Sequence, residues 1–497
     1  MGYITNNAAG GVVRIPHFIG LWQDGDGFSG DPRYAVECHN AQTRGGYLRP
    51  MAKCEALPWE LPAPIQTLKL LHRRWYTPDE HHDILVAACN GRLYWAYPEE
   101  GGWHQMSMPE GWQGSTYESD VWSAVTYEIN PTAEADPVDV LLMSNDKDGM
   151  ICIRGDTMEV STIATPRKFG VIARFNDRIF GGAIPDSPDT LVYSAPYDPY
   201  DWAANEDDPA MGAGDIQQPS WDGDSFTALV PFGDYLLCVK KYRIWRLAGS
   251  DPTEYTFYEQ YGGGCRYPQT IAVSPRLGVL MMGGEGLQRY NGETTDDYME
   301  EYARKVFYAA YTGRAEEAFG VLFRDRYYLA LPRAGSQYND AVLVFNPKEG
   351  SWLYRTGVSV ESFLATDSKL YFTSHETPGI VYLWRDDAWQ DGEAEEMEWV
   401  SPWLDFGFKN RSKSAFTVYV TVECESEVAL QISMETEKKI KTKTVSFSPP
   451  VNGGESRQRR IGFGGNGRRI RLRIASEAGQ KWRIIGGIQL EAETDAD

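Results

Sequence analysis

The feature that most constrains this chain is a short phrase, a polar turn followed by an apolar strand, that returns seven times between residues 90 and 372. The phrases are Asn90-Gly91-Arg92-Leu93-Tyr94-Trp95, Asp148-Gly149-Met150-Ile151-Cys152-Ile153, Asn176-Asp177-Arg178-Ile179-Phe180, Gly233-Asp234-Tyr235-Leu236-Leu237, Arg276-Leu277-Gly278-Val279-Leu280, Arg324-Asp325-Arg326-Tyr327-Tyr328-Leu329 and Asp367-Ser368-Lys369-Leu370-Tyr371-Phe372. Each joins turn-forming residues to a run suited to a pleated strand. Their starts lie 58, 28, 57, 43, 48 and 43 residues apart, a mean of 46. That period matches one four-stranded propeller blade. Blades stack radially because each sheet must bury both faces against its neighbours. The interval of 28 is too short for a whole blade, so two phrases are read as sharing one. The expectation is an all-β chain whose residues 65–392 form a propeller of six blades, with seven as the alternative.

Two segments depart from that period. Within 296–318, apolar residues at Met299, Tyr302, Ala303, Val306, Phe307 and Ala310 fall at helical spacing, with Asp296 and Asp297 as candidate caps. An inserted amphipathic helix is expected there. It either packs on the propeller rim or makes a subunit contact through Tyr302, Val306 and Phe307. From 393 to 497 the pattern becomes strict alternation, as in Phe416–Val422, Val428–Ile432 and Ile470–Ile474. About seven strands in a hundred residues read as a C-terminal β-sandwich. Residues 1–64 are rich in Gly and Pro and read as an N-terminal arm or an incomplete blade, supplying a strand to close the propeller ring.

Charge divides the chain the same way. Residues 401–497 hold 16 basic and 12 acidic side chains, a net of +4, against 32 and 58 in the rest, a net of −26. An acidic body does not wrap nucleic acid, because phosphate contacts need cations. The seven cysteines are odd in number, contain no C-x-x-C and sit mostly in strand-like runs, which reads as buried free thiols in a reducing cytoplasm. The start, Met-Gly-Tyr-Ile-Thr-Asn-Asn, lacks a basic region followed by an apolar run, so no secretory leader is expected. No apolar run approaches the roughly 20 residues that cross a bilayer.

The residues that could carry chemistry give weak signals. Asp24 and Asp26 open like a calcium loop, but Phe28 and Ala35 stand where ligands belong. Asp222 and Asp224 could pair as in a glycosidase, although a turn is the simpler reading. His81 and His82 are adjacent and so point to opposite faces of a strand. Gly262-Gly263-Gly264 does not sit at a strand–helix junction, so it cradles no phosphate. No nucleophile, zinc or nucleotide signature is present. No catalytic residue, metal or cofactor is expected, and the chain is not read as an enzyme. The basic run is the stronger feature. Arg457, Arg459, Arg460, Arg468, Arg469, Arg471 and Arg473 flank Gly462–Gly467. They read as a solvated sandwich face, or as one that meets an acidic partner or passing DNA.

Several phrases together resemble the tail-nozzle, or packaged-DNA stabilisation, proteins of short-tailed bacteriophages. They are Gly45-Gly46-Tyr47-Leu48-Arg49-Pro50 after Asn40; Phe232–Cys238 followed by Ile244–Gly249; the helix at 298–311 leading into Arg326–Pro332, Val342–Phe345 and Trp352; and the ending Trp482–Leu490. Region 98–140, with Trp103, Trp112 and Trp122, has no counterpart. The resemblance implies a virion component assembled in the bacterial cytoplasm. It would form a homo-oligomeric ring, a hexamer, below the portal and its adaptor. The ring would extend the DNA channel, retain packaged DNA, hold a needle, spike or fibre, and pass genomic DNA without reading its sequence. No membrane insertion is implied. The rival reading is a glycan- or host-receptor-binding propeller, motivated by the aromatic excess. A glycoside hydrolase comes third.

Overall fold

The computed structural model describes residues 3–7, 10–23, 30–74, 82–130, 136–218, 223–283, 286–298, 302–311, 314–390, 392–450 and 456–494. Seven four-stranded antiparallel blades form the larger part. Blade 1 is Thr67–His72, Asp83–Cys89, Arg92–Ala96 and His104–Gln105; blade 2 is Ser123–Ile129, Val138–Asn145, Gly149–Arg154 and Val160–Ile163. Blade 3 is Val171–Phe175, Arg178–Gly182, Thr190–Tyr193 and Gly214–Gln217; blade 4 is Phe226–Phe232, Tyr235–Lys240, Ile244–Ala248 and Thr256–Glu259. Blade 5 is Ala272–Ser274, Gly278–Met282, Leu287–Tyr290 and Thr295–Asp297; blade 6 is Phe319–Phe323, Arg326–Leu331, Asn339–Asn346 and Ser351–Val360. Blade 7 takes Ser362–Ala365, Leu370–Thr373 and Ile380–Leu383, and its outer strand is Glu55–Glu60 from the N-terminal segment. The ring closes where Ser362–Ala365 packs beside Thr67–His72.

The blade count is therefore the alternative of seven, not six. Every phrase occupies its own blade. In blades 1 and 2 it is the turn between the second and third strands, and in blades 3–7 the turn between the first and second. The interval of 28 measures the step from one kind of turn to the other. Asn90 (φ 54°) with Gly91 (φ 68°), and Asn176 (φ 48°) with Asp177 (φ 58°), have the paired positive φ of a type I′ hairpin. Apolar clusters fill the gaps between blades. Val86, Leu141 and Ile151 join blades 1 and 2, and Leu237, Val279 and Tyr290 join blades 4 and 5.

Among the described residues the sandwich has two five-stranded sheets. One runs Ile4–Asn7, Gly10–Ile15, Trp482–Thr494, Lys413–Cys424, Gln458–Phe463. The other runs Glu37–His39, Met397–Val400, Ile470–Ser476, Val428–Thr436, Ile440–Phe447. Three of the ten strands thus come from the N-terminal segment, which is built into the sandwich rather than lying apart as an arm. Alternation places Phe416, Val418, Val420 and Val422 inward, and likewise Ile470, Leu472 and Ile474. Glu37–His39 also touches the outer strand of blade 6, pairing His39 with Tyr354. One apolar core runs from Val13, Ile15 and Trp399 in the sandwich to Phe345 and Trp352 in blade 6.

Buried ions lock the same junction. Arg49 lies 2.8 Å from Asp387, both nearly inaccessible. The Arg355 guanidinium donates to the carbonyls of Ala52 (2.7 Å) and Arg385 (2.8 Å) and lies over the Trp384 ring.

The inserted helix is short, Arg304–Tyr311. Met299 lies outside the described residues. Asp296 and Asp297 do not cap the helix; they end the last strand of blade 5, where Asp296 pairs with Arg289 at 2.8 Å.

Candidate interaction surfaces

The helix residues expected at a subunit contact are largely spent inside the chain. Phe307 is fully buried, its ring 5.8 Å from that of Trp352. Tyr302 is half-buried beside Trp22 and Tyr34, and Val306 packs on the same core. Phe307 is therefore corrected from contact residue to core residue, because its spacing points it at blade 6. The exposed ring on this helix is Tyr308, 71% accessible.

The seven arginines do not share one face. Arg459 and Arg460 lie on Gln458–Phe463, an edge strand of the first sheet, whereas Arg471 and Arg473 lie on Ile470–Ser476 in the second. The alternation along 469–473 is real: Ile470 and Leu472 point in, Arg471 and Arg473 out. Acidic neighbours meet this row, however. Arg473 bonds Glu398 at 2.7 Å and lies 3.6 Å from Glu37, and Arg471 lies 4.0 Å from Glu435 and stacks on Trp403. Exposed ion pairs of this kind contribute little stability, but they cancel the local positive field. The backbone amides of Arg468 and Arg469 donate to the Glu437 carboxylate at 3.1 and 3.0 Å.

A second group of cations sits elsewhere, on a feature that the arginine run obscured. The hairpin joining Val428–Thr436 to Ile440–Phe447 carries Lys438, Lys439 and Lys441. Its turn is fixed by bonds from the Thr436 amide to the Lys439 carbonyl (2.8 Å) and from the Lys439 amide to Thr436 Oγ1 (3.2 Å). These lysines and Gly464-Gly465-Asn466 border a cavity of about 260 Å³ at the open edge between the sheets, floored by Phe416, Met434 and Phe463. The signal was legible as Glu437-Lys438-Lys439-Ile440-Lys441-Thr442-Lys443, four lysines in six residues. Lys413 behaves differently. It is buried, and its ammonium donates to the carbonyls of Phe408 (2.7 Å), Arg411 (3.0 Å) and Arg468, while burial pushes its pKa down.

The remaining sequence candidates do not assemble a site. Asp24, Asp26, Asp222 and His81 lie outside the described residues. His82 donates from Nδ1 to the Arg73 carbonyl at 2.9 Å, and His72 Nδ1 lies 2.8 Å from Asp83. Among the described residues no group of three or more His, Cys, Asp or Glu side chains is placed to hold a metal ion. The tryptophans of 98–140 do not line one groove. Trp103 packs on Trp59, Trp122 is buried, and Trp112 meets Tyr117. All seven cysteines are free and six are buried. Burial pushes the Cys38 thiol up to about 12, and those of Cys152 and Cys265 to about 11, so these three are poor nucleophiles.

No protein-family model matches the sequence, and no curated protein matches it. Solved structures similar to the chain include one from the mitotic checkpoint complex, 8% identical, covering 66% of this chain and 92% of that one, with a TM-score of 0.38. Another is the computationally designed Ika8 protein, 10% identical, covering 67% and 100%, with a TM-score of 0.35. A third is the WD40 domain of Pan2 from Neurospora crassa, 9% identical, covering 64% and 89%, with a TM-score of 0.34. The blade assignment rests on the strand pairing of this chain itself.

Proposed function

We propose that this chain is a structural subunit of a short-tailed bacteriophage tail. Copies form a closed nozzle ring that extends the DNA channel below the portal and adaptor and helps to retain the packaged genome. The carrying observation is the fusion of a strongly acidic propeller and a mildly basic sandwich through one uninterrupted core. A mechanical part needs such a body, because force on one unit must reach the other without a hinge. The role is non-enzymatic.

The distribution of charge supports the reading. The inner strands of the seven blades carry only four side chains of the Asp, Glu, Lys, Arg and His types: Lys69, His72, Glu128 and Arg174. The propeller's acidity therefore lies on outer strands and loops. That surface, turned to a ring lumen, would let DNA slide without cation contacts.

The test is the assembly state. Purified protein examined by light scattering and electron microscopy is expected to form rings of one stoichiometry, six by the family resemblance. Mass spectrometry of purified virions is expected to find the chain at that copy number. Protein that stays monomeric at high concentration and is absent from virions overturns the proposal.

A further inference from the structure

We propose that the cavity at the open edge of the sandwich is an anion-binding site, taking a carboxylate or phosphate group carried on a small organic body. This inference stands independently of the ring.

Three features converge there. Lys438, Lys439 and Lys441 border the cavity, and among the described residues none has a carboxylate partner. The acid in their own turn, Glu437, is committed to the Arg468 and Arg469 amides. The lysines therefore stand on a pinned turn with their charge uncancelled. On the opposite lip, the N–H groups of Gly464, Gly465 and Asn466 donate to no protein acceptor among the described residues. A Cβ built on Gly465 meets nothing within 4 Å, so this lip is open to a ligand. Successive amides without a protein acceptor, beside cations on a pinned turn, are a recurrent means of holding an anion.

The floor sets the rest of the ligand. Phe416, Met434 and Phe463 are each at most 3% exposed and close the cavity from below. A bare ion would leave most of the cavity to water, whereas an anion on a compact organic body fills it. A volume of about 260 Å³ suits a body of sugar size rather than a whole strand. Lysines also guard exposed sheet edges against pairing, and Ile440–Phe447 is such an edge. Edge protection, however, requires neither a cavity nor free amides across it.

The test uses the full chain at constant ionic strength, titrated by calorimetry with glucuronate, inorganic phosphate and neutral glucose. Saturable binding of at least one anion, with glucose inert, is expected. Tighter glucuronate assigns a carboxylate ligand, and tighter phosphate a phosphate ester. The triple variant K438A/K439A/K441A is expected to bind roughly tenfold more weakly or worse, the loss of at least one charge-assisted hydrogen bond. R457A/R459A/R460A removes the same charge outside the cavity and is expected to bind within about twofold of the parent. Gly465→Asp keeps every lysine, places a carboxylate on the lip and is expected to abolish binding. The proposal is overturned if neither anion binds saturably, if glucose binds as well, if both triple variants weaken alike, or if Gly465→Asp binds normally.

Discussion

Replacing Ile15 by Ala tests whether the N-terminal segment is an appendage or part of the core. Ile15 is fully buried, and its strand lies against Trp482–Thr494, opposite Ile488. The substitution removes three buried carbons, about 2.4 kcal/mol of transfer free energy. The cavity left behind raises the cost to roughly 3–4 kcal/mol, because packed surroundings relax only in part. Thr5→Ala, at an exposed position on the neighbouring edge strand, is the control and is expected to change stability by no more than about 0.5 kcal/mol. Urea unfolding followed by both tryptophan fluorescence and near-ultraviolet circular dichroism reads the result. Since the core around Ile15 continues into Phe345 and Trp352 of blade 6, both probes are expected to show one transition that moves as a unit. A cost below about 1 kcal/mol, or two transitions of which one moves, would refute the continuous core.

Three further perturbations address closure and buried charge. Gly379 holds φ 85° at the seam of blade 7, where a Cβ would stand 2.1 Å from the Leu61 carbonyl oxygen. Gly379→Ala is therefore expected to cost about 3 kcal/mol or more and to expose 55–66 to limited proteolysis; an unchanged digest would sink this account of the seam. Burial, with help from Glu317, pushes the Glu361 carboxyl from 4.5 to about 7. The fold thus binds this proton more tightly than the unfolded chain, and the penalty, absent below about pH 4.5, is complete only above about pH 7. Partial exposure limits it to about 2 kcal/mol, so Glu361→Gln is expected to gain on the parent in melts taken from pH 5 to pH 8, and a flat difference would count against it. Arg49→Met strands the buried Asp387 and is expected to cost about 3–5 kcal/mol at neutral pH, with much of it recovered in Arg49→Met/Asp387→Leu. A double variant no better than the single would show that packing, not charge, holds the junction.

The sequence reading found the blades through their turns, because a turn's chemistry is local. Asn90-Gly91 and Asn176-Asp177 need positive φ at both residues, and few residue types supply it. What the turns could not convey was their rank within a blade, so the step from Asp148 to Asn176 read as two phrases in one blade. Pairing at long range was less legible still. Glu55–Glu60 meets Ile380–Leu383 more than 300 residues away, and Gly10–Ile15 meets Trp482–Thr494 nearer 480 away. Nothing in Gly10-Gly11-Val12-Val13-Arg14-Ile15 except a brief alternation marks it as a sandwich strand, since its partners are set by the finished fold. The helical spacing picked out Phe307 and Ala310, which are buried, but not what they meet. Phe307 is as apolar against Trp352 as it would be against another subunit.

Charge shows the same limit most sharply, because a count says nothing of pairing. Arg471 and Arg473 belong to a basic run as dense as the lysine hairpin and are answered by Glu435, Glu398 and Glu37, whereas among the described residues Lys438, Lys439 and Lys441 are not answered. Topology then decides where the unanswered charge points. The second sheet begins at Glu37–His39, against blade 6, and ends at Ile440–Phe447, four strand spacings away, roughly 20 Å. Gln458–Phe463, with Arg459 and Arg460, is likewise an outermost strand of its sheet. The uncancelled cations thus stand at the end of the second sheet farthest from its junction with the propeller. A positive end that folded back would be neutralised by the chain's own acidic surface. Held off by a rigid sandwich, it is kept for a ligand or a neighbour, and for that the shared core is required.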